Sequence, residues 1–157
     1  MKRHPALVPL SQDHHQVLVI AQRLRRATAE TAKEATAGFL AHWHGHERHH
    51  FAIEEELLLP AYAAHGDPGH PAVTRMLQDH MLIRRDADRL AARRDADRPA
   101  ASPAPPLALN DLHELGRRLA DHVALEEREV FPLIEATLPE AELVALGERL
   151  REAERGV

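Results

Sequence analysis

One short motif occurs twice in this chain and limits its fold more than any other feature. The first copy is H-F-A-I-E-E-E-L-L-L-P, starting at His50, and the second is H-V-A-L-E-E-R-E-V-F-P, starting at His122. In each copy a glutamate, Glu54 or Glu126, follows the histidine by four residues. Because that spacing is about one turn of an α-helix, each histidine and its glutamate project from the same helix face. The repeat therefore predicts two helices that each carry half of a metal site, of a kind suited to a pair of borderline ions such as iron.

Composition favours a helical protein and excludes several functional classes. The 157 residues are rich in Ala, Leu, Glu and Arg and include only three Phe, one Tyr and one Trp, a balance that favours helix over strand. The absence of cysteine excludes disulfides, iron–sulfur clusters, thiolate zinc sites and cysteine nucleophiles. A net charge of -5 with both signs mixed along the chain predicts no nucleic-acid partner. Without an apolar run of membrane-spanning length or a signal peptide, the sequence predicts a cytoplasmic protein with no membrane partner.

Hydrophobic periodicity predicts a bundle of long amphipathic helices. The expected long helices are residues 11–31, with Ser11 as N-cap, and residues 33–64, 72–95 and 110–137. A loop is expected at the proline-rich residues 97–107. The T-L-P-E sequence at residues 137–140 predicts a capping box that opens a short helix over residues 139–155.

The expected architecture is all-α, an up-down-up-down four-helix bundle with a short extra C-terminal helix. Residues 1–157 are expected to form a single domain whose bundle core covers residues 10–136.

Each long helix carries a histidine within its apolar stripe. These are His50, His80, His122 and, on the first helix, His14 or His15, because a small rotation of that helix would exchange the last two. A lone histidine on an apolar face is more often a hydrogen-bonded core residue than a ligand. A core without a metal, however, has no reason to bury two carboxylates at matched positions, and their desolvation is costly unless a cation offsets it. We therefore interpret the histidines and the repeated glutamates as one metal site.

Four separated motifs, in this order, resemble the hemerythrin-like, or HHE cation-binding, domain. They are D-H-H at residues 13–15, H-F-x-x-E-E-x-x-L-L-P at 50–60, D-H-x-x-x-R at 79–84 and H-V-x-x-E-E-x-x-V-F-P at 122–132. The resemblance implies a four-helix bundle around a non-haem di-iron centre with an oxo or hydroxo bridge. The implied ligands are His14 (or His15), His50, Glu54, His80, His122 and Glu126, with both glutamates bridging the two iron ions.

The chain departs from oxygen-carrying members of that family at two positions. Arg84 stands where the carriers have a second histidine on the third helix, and Glu127 stands where they have an aspartate. Fewer protein ligands would leave an open coordination position for O2, peroxide or nitric oxide. The resemblance thus implies a protein that binds O2 or a related small oxidant for sensing, storage or transport. The alternatives are a di-iron enzyme acting on peroxide or nitric oxide, and an iron-responsive regulatory module; the sequence assigns no catalytic side chain and no protein partner.

Further residues are candidates for the pocket around the ligands. His46 lies one turn before the second-helix histidine and is a replacement ligand, a pocket residue or a solvated histidine. Tyr62 donates a hydrogen bond near the site, is an oxidisable neighbour of it, or is interfacial. Arg84 and Glu127 complete this candidate set. The histidine-dense residues 42–50 are a possible weak surface patch for zinc or nickel, with most of these histidines expected to be solvated.

Overall fold

The computed structural model describes residues 2–96 and 109–156, except for the side chains of residues 95 and 96. Within these ranges the chain forms five helices and no strand, which confirms the all-α helical class. We name them α1 (Val8–Arg25), α2 (residues 32–63), α3 (Pro71–Ala96), α4 (residues 109–137) and α5 (Glu140–Arg155). The loop predicted at residues 97–107 lies outside the described residues.

Two helix starts differ from the predicted ones. α1 begins at Val8 because Pro9 occupies its first turn, where a missing N–H removes no helical hydrogen bond. The predicted N-cap Ser11 instead lies inside α1 and accepts a hydrogen bond from Arg3 Nε at 3.3 Å. The predicted capping box is also wrong, because the Thr137 hydroxyl donates to the Leu133 carbonyl at 2.7 Å rather than capping α5.

α2 and α4 each contain π-helical turns, which are wider than the α-helix. They are Trp43–Glu47 and Glu54–Leu58 in α2 and Glu126–Val130 in α4. Two of these turns come just before Pro60 and Pro132, each of which removes one intrahelical hydrogen bond. Each of these two turns begins at the repeated glutamate, and the proline that follows it is a known cause of such a distortion.

The apolar side chains form two separate clusters with a polar layer between them. The lower cluster includes Leu10 and Met76, and the upper cluster includes Val17 and Ile83. On α1 the buried His14 therefore lies between the two clusters along the helix, and other buried histidines and glutamates occupy the same level on α2, α3 and α4. Each long helix thus contributes to one polar layer inside the bundle.

α5 packs against the lower apolar cluster. Its Leu143, Leu146 and Leu150 are buried in the lower cluster. Higher in the bundle, α1 and α4 approach closely, and a Cβ added to Gly116 would lie 2.7 Å from the Ala21 carbonyl oxygen.

Candidate metal centre

The polar layer brings together one set of ionisable side chains from α1 to α4. Each of them is at most 3% exposed. The set consists of His14 from α1, His50 and Glu54 from α2, His80 from α3, and His122 and Glu126 from α4. His15, the alternative on α1, is exposed and lies outside the layer.

The layer divides into two groups of possible ligands that share both glutamates. One group combines Glu54 and Glu126 with His14 and His50, and the other combines the same glutamates with His80 and His122. Within each group one ligand atom from every residue lies within 4.8 Å of the others. This arrangement can hold two cations side by side with two carboxylates shared between them.

The inward-facing atoms lie close together, yet they are not hydrogen-bonded. Glu126 oxygens lie 2.9 Å from His14 Nε2 and 3.0 Å from His122 Nε2. Glu54 oxygens lie 3.2 Å from His50 Nε2 and 3.4 Å from His80 Nε2.

The four Nε2 atoms and all four carboxylate oxygens have no hydrogen-bond partner among the residues that the structure describes. Because buried polar atoms are nearly always partnered, this set of nitrogen and oxygen donors fits bound metal ions.

The second glutamate of each repeated motif binds the outer nitrogen of a histidine from the other half of the chain. Glu55 Oε1 lies 2.7 Å from His80 Nδ1, and Glu127 Oε1 lies 2.7 Å from His14 Nδ1. When Nδ1 donates its hydrogen to such a carboxylate, Nε2 is left with a lone pair directed at the centre of the layer. Each E-E dipeptide therefore supplies one carboxylate inside the layer and one outside it.

An aspartate directly before a layer histidine has a similar role in each half. Asp13 Oδ2 lies 3.2 Å from His50 Nδ1, and Asp79 Oδ2 lies 3.7 Å from His122 Nδ1. The first contact is a hydrogen bond, whereas the second is a wider electrostatic contact. All four layer histidines thus face a carboxylate on the side away from the centre.

Arginines hold the outer glutamates in place. Arg84 Nη1 and Nη2 donate to the two oxygens of Glu55 at 2.8 and 3.0 Å. Arg3 Nη2 donates to Glu127 Oε2 at 2.7 Å, and its Nη1 to Glu135 at 3.1 Å. Arg84 and Glu127, predicted near the pocket, therefore lie outside the layer. Glu127 contacts His14 directly, whereas Arg84 is connected to His80 through Glu55.

The pKa values follow from this close pairing of charges. Burial alone would raise the pKa of Glu55, but His80 and Arg84 outweigh it and lower the pKa to about 2. His14 and Arg3 likewise lower the pKa of Glu127 to about 2 against the effect of burial. Both outer carboxylates are therefore ionised at neutral pH.

The pKa values of the histidines and glutamates inside the layer reflect the same balance between burial and neighbouring charges. Burial would lower the pKa of His14, yet Glu126 and Glu127 raise it to about 9. Burial would raise the pKa of Glu126, and His122, His14 and His80 hold it well below the usual value. The layer is thus built around carboxylates that stay ionised although they are fully buried.

The two remaining candidates lie in different surroundings. His46 is partly exposed, and its Nε2 lies 3.2 Å from Asp13 Oδ2 at the edge of the layer. Tyr62 is buried in the lower apolar cluster, where its ring packs so closely on Gly66 that an added Cβ would meet it at 2.5 Å.

Sequence reasoning assigned no role to Asp13, Glu55, Asp79 or Arg3. The duplicated dipeptides D-H and E-E could have indicated Asp13, Glu55 and Asp79, because each of these carboxylates is a chain neighbour of a layer residue. The contact of Arg3 with Glu127 spans most of the chain and leaves no comparable pattern.

Comparison with known proteins agrees with this site. A family model described as Hemerythrin HHE cation binding domain matches residues 7–134, a span that includes every residue of the layer. Neither the curated proteins nor the solved structures include a significant match. Within residues 2–96 and 109–156, none of the helices combines the length and apolarity needed to cross a membrane.

Proposed function

The chain belongs to the hemerythrin HHE cation-binding domain family, and we propose that its layer holds two iron ions and binds O2 or a related small oxidant. The observation that carries this proposal is the sharing of Glu54 and Glu126 between two groups of possible ligands. Two shared carboxylates would place the ions side by side as a pair.

The chemistry of the donors supports iron. Imidazole nitrogen together with carboxylate oxygen, without sulfur, suits borderline ions better than soft metals or metals that require only oxygen. Glu54 and Glu126 are both 0% exposed, so their charges need a cation to offset the cost of desolvation. Two divalent ions would satisfy both carboxylates and the four Nε2 atoms that the structure leaves without hydrogen bonds.

The number of donors supports the binding of a small ligand. Each group offers four protein side chains, so an ion that prefers octahedral coordination would keep about two positions free. Iron at such a site supplies redox chemistry and open coordination positions for O2, peroxide or nitric oxide. Arg84 adds no ligand, because a guanidinium only donates hydrogen bonds and both of its Nη atoms are held by Glu55.

The surrounding side chains fix the histidines and keep water away. The Phe51 ring stacks on His80 with centroids 3.8 Å apart, and the Phe131 ring stacks on His14 at 5.6 Å. Both phenylalanines are 0% exposed. With outer carboxylates behind the imidazoles and aromatic rings over them, the ligands would have little freedom to rotate.

The Glu55–Arg84 pair favours a second candidate, an enzyme that reduces peroxide or nitric oxide. His80 Nδ1 contacts Glu55, whose side chain is 27% exposed, so this contact connects the layer to solvent. Reduction of peroxide to water consumes protons, and the contact of His80 with the partly exposed Glu55 would be the side of the layer from which solvent protons reach the site.

Metal analysis combined with an optical spectrum tests the proposal. We expect about two iron ions per chain and, when air enters a reduced sample, a new charge-transfer spectrum that reverses under argon. Steady consumption of added peroxide would favour the enzyme instead. His50→Ala should lower the iron content, whereas the matched control His15→Ala, which changes an exposed histidine, should not. Wild-type protein without bound iron would contradict the proposal.

A further inference from the structure

A third group of possible metal ligands lies at the edge of the layer, on the side of α1 and α2, and shares His50 with it. Asp13, His46 and His50 offer ligand atoms that lie within 4.8 Å of one another. Asp13 Oδ2 is 3.2 Å from His46 Nε2 and also 3.2 Å from His50 Nδ1. The His46 side chain is 43% exposed and that of His50 is 2% exposed, so one carboxylate oxygen connects a solvent-facing imidazole to a ligand of the inner layer.

The backbone of α2 is distorted at this place. His46 lies in the π turn Trp43–Glu47, which no proline follows closely, in contrast to the turns at the repeated glutamates. Such turns are frequently found at functional sites. Here the turn aligns His42, His46 and His50, with ring centroids 5.4 and 6.3 Å apart along the row.

The end of α5 brings a further carboxylate to this group. His49 donates through Nε2 to the Ala153 carbonyl at 3.0 Å, which holds the last turn of α5 against α2. Glu154 follows directly, and its Oε1 is buried with no hydrogen-bond partner in the described part of the chain. Burial and the nearby charge of Asp13 raise the pKa of Glu154, which agrees with its place beside the group.

We propose that Asp13 and His46, with Glu154 beside them, form an outer site for a divalent transition-metal ion, through which the inner layer is loaded. One imidazole and two carboxylates suit borderline ions such as Fe2+, Co2+ and Zn2+. The partial exposure of His46 and Asp13 allows an ion to enter from solvent and makes this site weaker than the layer. His50 is the link, because its Nδ1 faces Asp13 while its Nε2 faces Glu54.

The loading role rests on the proposed function, whereas the outer site itself does not. The position in α4 that corresponds to His46, four residues before the motif histidine, is Arg118. Its guanidinium lies 3.6 Å from both Asp86 and Glu114 and has no lone pair to offer a metal. The inference therefore predicts that ions enter from the side of α1 and α2.

The experiment uses the metal-free full chain and Co2+ as the probe. Equilibrium titration counts the ions, and rapid mixing follows the visible absorption of Co2+ as the layer fills. Wild-type protein should bind a weaker ion in addition to the tightly held ones. His46→Ala should abolish the weaker ion and slow loading at least about tenfold, with the final number of tightly bound ions unchanged.

Matched controls separate the outer site from general effects on the fold. His44→Ala removes an exposed histidine of the same π turn, and Glu152→Gln neutralises an exposed glutamate of α5. Both should behave as wild type, while Glu154→Gln should change in the same direction as His46→Ala. Far-ultraviolet circular dichroism of each variant checks that the helices are retained.

The outcomes distinguish this inference from the proposed function. If His46→Ala and Glu154→Gln load as fast as their controls and keep the weaker ion, the outer site is overturned. If wild-type protein holds no tightly bound ions, the proposed function and the loading role fail together. If that wild-type protein nevertheless binds a weaker ion, and His46→Ala loses this ion, the result would support the outer site without the loading role.

Discussion

α1 and α2 carry the motifs D-H and H-x-x-x-E-E, and α3 and α4 carry the same motifs in the same order. Each half of the chain thus supplies two histidines and one glutamate to the layer. The outer glutamates, Glu55 and Glu127, bind histidines of the opposite half. Neither half therefore completes the site alone, because one histidine of each half is oriented by a carboxylate of the other.

The halves differ in how the layer is connected to solvent. His46 stands in the first half where Arg118 stands in the second, and only the histidine can bind a metal ion. Four residues after the D-H motif, the first half has the exposed Leu18 and the second half has Arg84, which holds Glu55. The ligands are duplicated, whereas the contacts that would admit ions or protons are not.

The largest effect is expected from the shared carboxylates. Glu54→Ala and Glu126→Ala each remove a donor from both groups of possible ligands, so each should lower the affinity for both ions by more than about 100-fold. Elemental analysis after dialysis measures the loss, and Glu56→Ala, at an exposed neighbouring position, is the control. Retention of one full ion in either variant would show that the glutamates are not shared.

Replacing a single layer histidine should weaken the binding of one ion more than that of the other. His14→Ala and His80→Ala each remove a donor from one group only, so each should weaken one ion by about 100-fold and affect the other less. Isothermal titration with Co2+ would show two distinct affinities in these variants. Equal loss of both ions in each variant would mean that the groups do not act separately.

The close contact between α1 and α4 depends on the small size of Gly116. Gly116→Ala places a methyl group against the α1 backbone, so we expect the free energy of unfolding to fall by about 1 to 3 kcal/mol. Gly38→Ala is the control, because an added Cβ there meets nothing within 4 Å. That control should stabilise α2 by about 0.5 to 1 kcal/mol. Chemical denaturation measures both, and equal stability of the two variants would contradict the close packing of α1 on α4.

Substitutions of the outer glutamates should have the smallest effect on metal affinity, and the effect should be the same in both halves. Glu55→Gln and Glu127→Gln keep the size of the side chain but weaken its hold on His80 or His14, so metal affinity should fall about tenfold in each. Competition with a chelator of known affinity measures the change. A much larger effect in one half would show that the outer contacts are not equivalent.

The sequence predicted the histidines and glutamates of the layer because each lies at a fixed helical offset within an apolar stripe. The same reasoning did not choose between His14 and His15, since adjacent residues point about 100° apart on a helix and the phase of α1 depends on its packing. The roles of Asp13 and Glu55 also stayed hidden, because each contacts a histidine from another helix.

The details of the helices were less predictable than the bundle. α1 starts at Val8, with Pro9 in its first turn, and not at the expected cap Ser11, because the fixed φ of a proline suits the first turn of a helix. No proline closely follows the π turn at Trp43–Glu47, so the sequence there predicts an ordinary α-helix.

A low-temperature Mössbauer spectrum of the oxidised, iron-57-loaded protein tests the central claim most directly. If Glu54 and Glu126 bridge a pair of ions, the two ferric ions will be magnetically coupled and the spectrum will show a diamagnetic ground state in an applied field. A spectrum of isolated, paramagnetic ferric ions would contradict the account, because two ions held side by side by the same two carboxylates are expected to be coupled.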